Sequence, residues 1–235
     1  MAKKAVVLIS GGLDSCVTTF LAREQHYEIY ALSFRYGQHH TKELLCAKKI
    51  ARVANVKEHL IFPVDLYRFG GSSLLTSSSK SIPTRTQNKI GKDIPSTYVP
   101  ARNTVFLSLA LAYAETRDAD TIFIGANAVD YSGYPDCRPE YLQAFEHLAN
   151  LATKKGVQGK HMKIQAPLLY LTKSEIIKQG MRLQVPFKDT WSCYRGEQKA
   201  CGRCDSCLLR LKGFQEAGIP DPVPYNHYPP WYKVK

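Results

Sequence analysis

The stretch LISGGLDSC, residues 8–16, overlaps the apolar run AVVLI at 5–9 and leads into a helical pattern that begins at Asp14. Adjacent glycines allow the backbone to approach an anion closely, and the free N–H groups and dipole at the start of a helix favour negative charge. Ser10 and Ser15 add hydroxyl donors beside the glycines. Strand, glycine loop and helix in this order predict a phosphate-binding loop, with a plain structural turn as the alternative.

The loop lacks the lysine of a common nucleotide-binding motif. A Walker A loop reads GxxxxGK[ST], and its lysine holds the β- and γ-phosphates. The dinucleotide-binding pattern GxGxxG also fails, because the two glycines here are adjacent. The sequence therefore predicts a phosphate-binding loop that differs from the Walker A loop and from the dinucleotide-binding loop.

The rest of the chain alternates apolar runs with helical patterns. We predict strands at 5–9, 27–34, 59–62, 121–125 and 161–167, and helices at 14–24, 42–54, 103–118, 138–155 and from a Thr172–Glu175 capping box to about Met181. Strands separated by helices indicate an α/β fold with a doubly wound, mostly parallel five-stranded sheet and helices on both faces. Ligands of such sheets bind beyond the carboxyl ends of the strands, at the edge where the glycine loop is expected.

We expect the chain to be organised in three segments. An α/β domain covers 1–185 and contains a long loop at 70–100, rich in Ser, Thr and Lys, that is expected to be a lid or a mobile loop. A cysteine-rich element with a helix covers 186–217, and a tail covers 218–235, with five prolines, three tyrosines and a tryptophan. Prolines prevent regular pairing, whereas disordered tails are poor in aromatics. We therefore expect the tail to lie extended over the cysteine-rich element or across a second subunit, with a mobile end as the alternative.

Four of the seven cysteines share the spacing C-x7-C-x2-C-x2-C, namely Cys193, Cys201, Cys204 and Cys207. Four thiolates at this spacing predict one tetrahedral zinc ion per chain, and a zinc with four thiolates has no open position, so its role is structural. An iron–sulfur cluster and a metal-free redox pair remain alternatives. The other cysteines, Cys16, Cys46 and Cys137, are expected to be packing residues.

The charge balance is basic, with a net charge of +12. The charge indicates either an anionic partner, for which nucleic acid, nucleotides and an acidic small molecule all qualify, or an ordinary solvated basic surface. The Lys-Lys pairs are scattered, at 3–4, 48–49 and 154–155, which argues against one nucleic-acid-binding stripe. The apolar run at 5–9 is too short for a secretory signal, and no run is long enough to span a bilayer, so we expect a cytoplasmic protein without membrane contact.

The segment SGGLDS at 10–15 resembles the PP-loop of the ATP pyrophosphatases. This resemblance implies that ATP, with Mg²⁺, is cleaved between its α- and β-phosphates, that the loop holds the departing pyrophosphate, and that AMP is transferred to a substrate oxygen. It also implies that the nucleotide contacts the loop and the start of the helix, with adenine where the second strand ends. The residues assigned to nucleotide binding are Leu8, Ile9, Ser10, Gly11, Gly12, Leu13, Asp14, Ser15, Cys16, Val17, Thr18, Ser33 and Phe34.

Further stretches narrow the resemblance to the 7-cyano-7-deazaguanine synthase family, over roughly residues 5–215. They are SFRYGQ at 33–38, VPARN at 99–103, GANAVDYSGYPDCRPE at 125–140 and SCYRG at 192–196. The resemblance implies a carbon–nitrogen ligase that converts 7-carboxy-7-deazaguanine, ammonia and ATP to the nitrile, on the way to queuosine in tRNA. It implies a small-molecule substrate, no obligatory nucleic acid, and a homodimer.

Roles in this reaction are assigned to two groups of residues. The catalytic group is Asp14, Ser15, Arg102 and Lys173, with Arg102 and Lys173 as phosphate or carboxylate contacts; solvated surface charges are the alternative. The substrate group is Asp130, Tyr131, Tyr134 and Asp136. Carboxylates suit the N–H groups of the deazaguanine edge, and tyrosines suit stacking on the base. The alternative for this stretch is an ordinary turn.

Two other functions remain open from the sequence. A PP-loop enzyme that modifies tRNA directly would suit the basic charge, but no appended RNA-binding domain is recognisable. A non-catalytic, zinc-stabilised nucleic-acid-binding module would leave the SGGLDS loop unexplained.

Overall fold

The computed structural model describes residues 3–79, 82–83, 94–129 and 134–233. The strands are β1 (Lys4–Leu8), β2 (Glu28–Arg35), β3 (Glu58–Pro63), β4 (Thr121–Phe123) and β5 (Lys163–Gln165). The helices are α1 (Leu13–Glu24), α2 (Lys42–Val53), α3 (Arg102–Arg117), α4 (Pro139–Ala152), α5 (Lys154–Val157), α6 (Lys173–Arg182) and α7 (Asp205–Ala217). Within the described ranges, none of these helices is long and apolar enough to cross a membrane.

The five strands form one sheet in the order β3-β2-β1-β4-β5, and every neighbouring pair runs parallel. Val6 of β1 belongs to the apolar cluster that contains Leu107 of α3. Ala5 and Val7 belong to the cluster on the other face, which contains Phe20 of α1. Successive side chains of a strand point to opposite faces, so a strand covered on both faces needs an uninterrupted apolar run. The predicted five-stranded, doubly wound α/β sheet is confirmed.

Three predictions of element boundaries were wrong. β4 and β5 have three residues each and are shorter than predicted. The predicted helix 138–155 is divided into α4 and α5 at Thr153, whose backbone is extended. The Thr153 hydroxyl donates to the carbonyl of Ala149 and accepts from the N–H of Gly156, at 2.8 and 3.1 Å. A side chain therefore replaces the regular helical hydrogen bonds at this point.

The start of α6 follows the predicted capping box. The N–H of Glu175 donates to Oγ1 of Thr172 at 3.3 Å, and the N–H of Thr172 donates to the carboxylate of Glu175 at 2.8 Å. Two of the backbone donors that a helix start leaves without partners are thereby satisfied. This cap fixes the position of Lys173, the first residue of α6.

The sheet has a switch point between β1 and β4, because the chain builds outward to β3 on one side and then crosses to β4 on the other. Such a crossing opens a crevice beyond the carboxyl ends of the two strands. A Cβ built on Gly125, just after β4, would lie 3.0 Å from the backbone nitrogen of Ser15. The glycine loop after β1 and the segment after β4 therefore meet at one edge of the sheet.

A third apolar cluster joins the cysteine-rich segment to the C-terminal tail. Ala200 forms a parallel bridge with Tyr225, and Tyr232 packs against the same cluster. On α7, the guanidinium of Arg210 donates two hydrogen bonds to the carboxylate of Asp221 in the tail, at 2.7 and 2.9 Å. The described part of the tail therefore lies over the cysteine-rich segment.

Part of the predicted long loop at 70–100 falls on 80–81 and 84–93, outside the described residues. Its described beginning packs on the domain, since Leu75 is fully buried. The N–H of Ser73 donates to the carbonyl of Ser96 at 2.8 Å, which joins the two sides of the loop. The assignment of this loop as a lid stays a prediction.

Candidate active site

The glycine loop between β1 and α1 is held together by its own serines. The hydroxyl oxygens of Ser10 and Ser15 lie 3.0 Å apart. The N–H of Gly12 donates to Oγ of Ser10 at 3.2 Å, and the Ser15 hydroxyl donates to the carbonyl of Gly12 at 3.1 Å. These bonds set the loop at the N-terminus of α1, where the helix dipole favours an anion.

Gly11 is required by both conformation and space. Its φ of +87° lies in the left-handed region that favours glycine. A Cβ there would lie 2.1 Å from the carbonyl oxygen of Glu43 and 2.7 Å from the nitrogen of Ala47, both in α2. The N–H of Trp191 donates to the carbonyl of Gly11 at 2.9 Å. The loop is therefore fixed from outside by α2 and by the segment that leads to the cysteines.

Asp14 in the first turn of α1 forms an ion pair with Lys173 at the start of α6. The ammonium nitrogen of Lys173 lies 2.6 and 2.8 Å from the two carboxylate oxygens. The lysine side chain is 8% exposed and that of Asp14 is 24% exposed, so the aspartate is the member of the pair that faces the crevice. Lys173 thus orients the carboxylate that closes one end of the phosphate loop.

A cavity of about 260 Å³ lies beside the loop, at the switch point of the sheet. Its wall includes many of the residues that the sequence predicted for the site, namely Leu8, Ile9, Ser10, Gly12, Leu13, Asp14, Ser15, Phe34, Arg102 and Tyr134. The loop, the end of β2 and the start of α3 therefore contribute to one space.

Other predicted site residues are not in the cavity wall, namely Gly11, Cys16, Val17, Thr18, Ser33, Asp136 and Lys173. Cys16, Val17 and Thr18 are fully buried beneath the loop. The hydroxyl of Ser33 donates to the carbonyl of Ile9, which braces β1. Asp130 and Tyr131 lie outside the described residues.

Asp136 is turned toward the start of α3. Its carboxylate accepts the backbone N–H of Asn103 at 2.9 Å, and the side-chain amide of Asn103 donates to the carbonyl of Asp136 at 3.1 Å. The side chain is 6% exposed overall. Asp136 therefore satisfies a backbone donor at a helix N-terminus, where a carboxylate is electrostatically favoured.

Aromatic rings form another part of the cavity wall, which we call the aromatic wall. The rings of Phe34 and Phe106 are stacked, with centroids 4.0 Å apart and planes at 14°. The guanidinium carbon of Arg102 lies 5.9 Å from the ring centroids of Tyr36 and Phe106. Burial disfavours the charge of Arg102, but Tyr36, Tyr134 and neighbouring anionic groups outweigh burial and raise its pKa. The cavity therefore contains a permanent cation beside flat apolar faces.

The cavity wall also includes residues that sequence reasoning missed, namely Tyr36, His39, His40, Glu43, Asn103, Phe106 and Trp191. Burial raises the pKa of Glu43 from 4.5 to about 7, while Arg102 opposes the shift. Tyr36 and Asn103 stand inside the quoted family stretches SFRYGQ and VPARN, which was the signal for them. Glu43 lies in the first turn of α2, the helix that follows β2, and no motif in the sequence marks it as a site residue.

The four predicted metal ligands come together in a buried cluster. The Sγ atoms of Cys193, Cys201, Cys204 and Cys207 all lie within 4.8 Å of one another. Zn–S bonds of about 2.3 Å in a tetrahedron separate sulfurs by about 3.8 Å. The Sγ atoms of Cys201 and Cys207 are 3.9 Å apart, close to that separation. The group is consistent with zinc.

The cysteine cluster is next to the phosphate loop. Lys42 of α2 donates to the carbonyls of Glu197 and Gln198 at 2.7 and 2.8 Å, and its ammonium lies 3.3 Å from the ring centroid of Trp191. The indole N–H of Trp191 donates to the carbonyl of Cys193 at 2.9 Å. One short segment therefore connects the metal ligands to the loop.

Comparison with known proteins identifies the family. The sequence model of the family described as "Queuosine biosynthesis protein QueC" matches residues 4–218. The chain belongs to the QueC family. The matched range contains the phosphate loop, the aromatic wall and all four cysteines.

Curated QueC relatives are similar over nearly their whole length. The 7-cyano-7-deazaguanine synthase of Citrifermentans bemidjiense is 56% identical over 228 residues, which cover 96% of this chain and 99% of that protein. The 7-cyano-7-deazaguanine synthase of Thermoplasma volcanium is 52% identical over 232 residues, which cover 99% of this chain and 95% of that protein. Among solved structures, NMN synthetase from Francisella tularensis is similar at a TM-score of 0.46 and 21% identity, covering 79% of this chain and 63% of that chain.

Proposed function

We propose that the protein is an ATP-dependent carbon–nitrogen ligase that converts 7-carboxy-7-deazaguanine and ammonia to 7-cyano-7-deazaguanine in queuosine biosynthesis. The observation that carries this proposal is the full-length similarity to 7-cyano-7-deazaguanine synthases, above 50% identity. A phosphate loop, a buried cation and an aromatic wall around one cavity fit a nucleotide and a flat heterocyclic acid.

The phosphate loop accounts for the first half of the chemistry. A carboxylate is a poor electrophile, and transfer of AMP to it creates a good leaving group. Pyrophosphate departs against the N-terminus of α1, where Gly12, Ser10 and Ser15 exchange the hydrogen bonds that they make within the loop for bonds to its oxygens. Arg102 lies across the cavity as a cation for phosphate or substrate carboxylate, and Lys173 acts through the orientation of Asp14.

Magnesium would be held by the phosphates of ATP, and Asp14 offers the kind of oxygen ligand that Mg²⁺ prefers. The ion would offset phosphate charge as pyrophosphate leaves. Zinc bound by the four cysteines would have a structural role, because thiolates fill all four positions. The hydrogen bond from the N–H of Trp191 to the carbonyl of Gly11 connects the zinc-binding segment to the phosphate loop.

The aromatic wall is the proposed seat of the flat ligands. Adenine or deazaguanine can stack against rings such as Phe106 and Tyr134, which border the cavity. Asp130 and Tyr131 stay proposals for the substrate edge. Asp136 also stays a proposal for the substrate edge, with its Oδ2 already accepting the N–H of Asn103.

Conversion of an acid to a nitrile requires removal of oxygen from the same carbon twice. The first adenylation allows ammonia to displace AMP and gives an amide. A second adenylation of the amide oxygen allows AMP to depart again and leaves the nitrile.

We extend the proposal to a lid at 70–100, to the three segments 1–185, 186–217 and 218–235, and to a cytoplasmic homodimer.

The proposal is tested by mass spectrometry of the products formed from 7-carboxy-7-deazaguanine, ATP and ¹⁵N-ammonia. The expected product is the nitrile with one ¹⁵N atom, and added amide should also be converted to nitrile. Incorporation of label into tRNA with no reaction of the free acid would instead favour direct modification of tRNA.

A further inference from the structure

Glu43 occupies a distinctive place in the cavity. It lies in the first turn of α2, and its backbone carbonyl is the atom against which Gly11 of the phosphate loop packs. Glu43 is one of the residues that line the cavity. Among the described wall residues the carboxylates are Glu43 and Asp14, and Asp14 is held by Lys173. Within the described ranges, no hydrogen bond or ion pair holds the carboxylate of Glu43.

The charged surroundings of Glu43 come from three elements. Arg102 of α3 favours its ionised form, whereas Cys193 and burial disfavour that form, and burial is the largest effect. Tyr36 at the end of β2 faces the same group. The result is a carboxyl pKa of about 7, which makes Glu43 a stronger base than an ordinary carboxylate.

The amide-forming step needs such a base. Ammonia exists in neutral water chiefly as ammonium, which has no lone pair with which to attack carbon. A cavity that accepts ammonium must provide a group that attracts the cation and then takes a proton from it. Asp14 is unsuited to this task because its two oxygens already accept from Lys173.

On the basis of the proposed function, we propose that Glu43 binds the incoming ammonium ion beside the phosphate loop and accepts its proton. The proton passes to the Glu43 carboxylate, and the freed nitrogen lone pair forms the C–N bond to the adenylated carboxyl carbon. The C–O bond to AMP then breaks, and its electron pair goes to the phosphate oxygen of AMP. The nitrogen loses its second proton to that phosphate, which leaves a neutral amide.

The test separates activation of the acid from use of ammonia. Exchange of labelled pyrophosphate into ATP, with the acid present and ammonia absent, measures adenylation. Amide and nitrile formation over a range of ammonium concentrations measures the second step. Both are measured for the wild type, for Glu43→Gln, for Glu43→Asp and for the control Glu216→Gln, a carboxylate on α7 that is 48% exposed and outside the cavity.

Glu43→Gln should keep pyrophosphate exchange within about twofold and lose about 10²–10⁴ in ammonia-dependent rate, the range of general-base catalysis. The wild-type rate should rise with pH through about 7, because Glu43 must be ionised to act. At a fixed ammonium concentration, the wild-type rate should level off once Glu43 is ionised, whereas the rate of Glu43→Gln should keep rising with pH, because that variant uses only free NH3. Glu43→Asp should partly restore the levelling, and Glu216→Gln should match the wild type.

Equal losses in exchange and in ammonia use, or no loss in either, would overturn the role of Glu43. Absence of acid-dependent pyrophosphate exchange in the wild type would overturn the proposed function itself. This outcome differs from failure of the Glu43 proposal, because adenylation does not require Glu43.

Discussion

Replacement of Asp221 by alanine should destabilise the protein strongly, because it breaks a fully buried ion pair between the tail and α7. The side chain of Arg210 is 3% exposed and that of Asp221 is 0% exposed. Asp221 also accepts the hydroxyl of Tyr225 at 2.7 Å and the N–H of Val223 at 3.0 Å. Removal of one partner leaves Arg210 as an uncompensated buried charge, at a cost of about 3–5 kcal/mol.

The measurement is urea unfolding of zinc-loaded protein, followed by tryptophan fluorescence. One of the two tryptophans, Trp231, lies in the tail and reports on its release. With a urea m value of about 3 kcal/mol/M, the loss corresponds to a midpoint lower by about 1 M or more. The control is Asp65→Ala, because the ion pair of Asp65 with Arg68 has side chains 60% and 72% exposed and should contribute little to stability. An Asp221→Ala midpoint no lower than that of the control would refute the conclusion that the tail is part of the folded core.

Three further changes test the site. Cys204→Ala should abolish stoichiometric zinc in elemental analysis and lower the melting temperature, whereas Cys46→Ala, outside the cluster, should do neither. Gly11→Ala should abolish ATP binding in calorimetry, because its Cβ would meet the α2 backbone at 2.1 Å; Gly159 also has a positive φ, but with open space around it, and Gly159→Ala should bind ATP normally. Lys173→Gln should slow pyrophosphate exchange at least about tenfold, because the carboxylate of Asp14 loses the ammonium group that orients it. Unchanged exchange would show that the pair has no part in adenylation.

Much of this architecture was predictable because its signals are local. The buried run at 5–9, the loop that follows it and the cysteine spacing each lie within a few residues of one another. The thiolate spacing predicts a closed cluster with little dependence on the rest of the fold, and the structure brings all four sulfurs together. The Thr172–Glu175 capping box is likewise a short-range pattern and was confirmed.

The parts that escaped prediction depend on neighbours that are distant in sequence. Glu43 reaches the cavity because α2 packs against Gly11, and no pattern within α2 indicates that contact. The bond from the N–H of Asn103 to the carboxylate of Asp136 likewise joins residues far apart in sequence, and the substrate role of Asp136 stays a prediction. The helical pattern across Thr153 continued in sequence, whereas its hydroxyl competes with the backbone in the structure.

The central claim is tested most directly by the stoichiometry of a single enzyme preparation that converts the free acid to nitrile. Phosphorus NMR counts AMP and pyrophosphate while mass spectrometry counts amide and nitrile along the same time course. The account predicts a transient amide and about two AMP and two pyrophosphate per nitrile, because each oxygen leaves as AMP from the same phosphate loop. Formation of ADP and inorganic phosphate, or one AMP per amide with no nitrile, would contradict it.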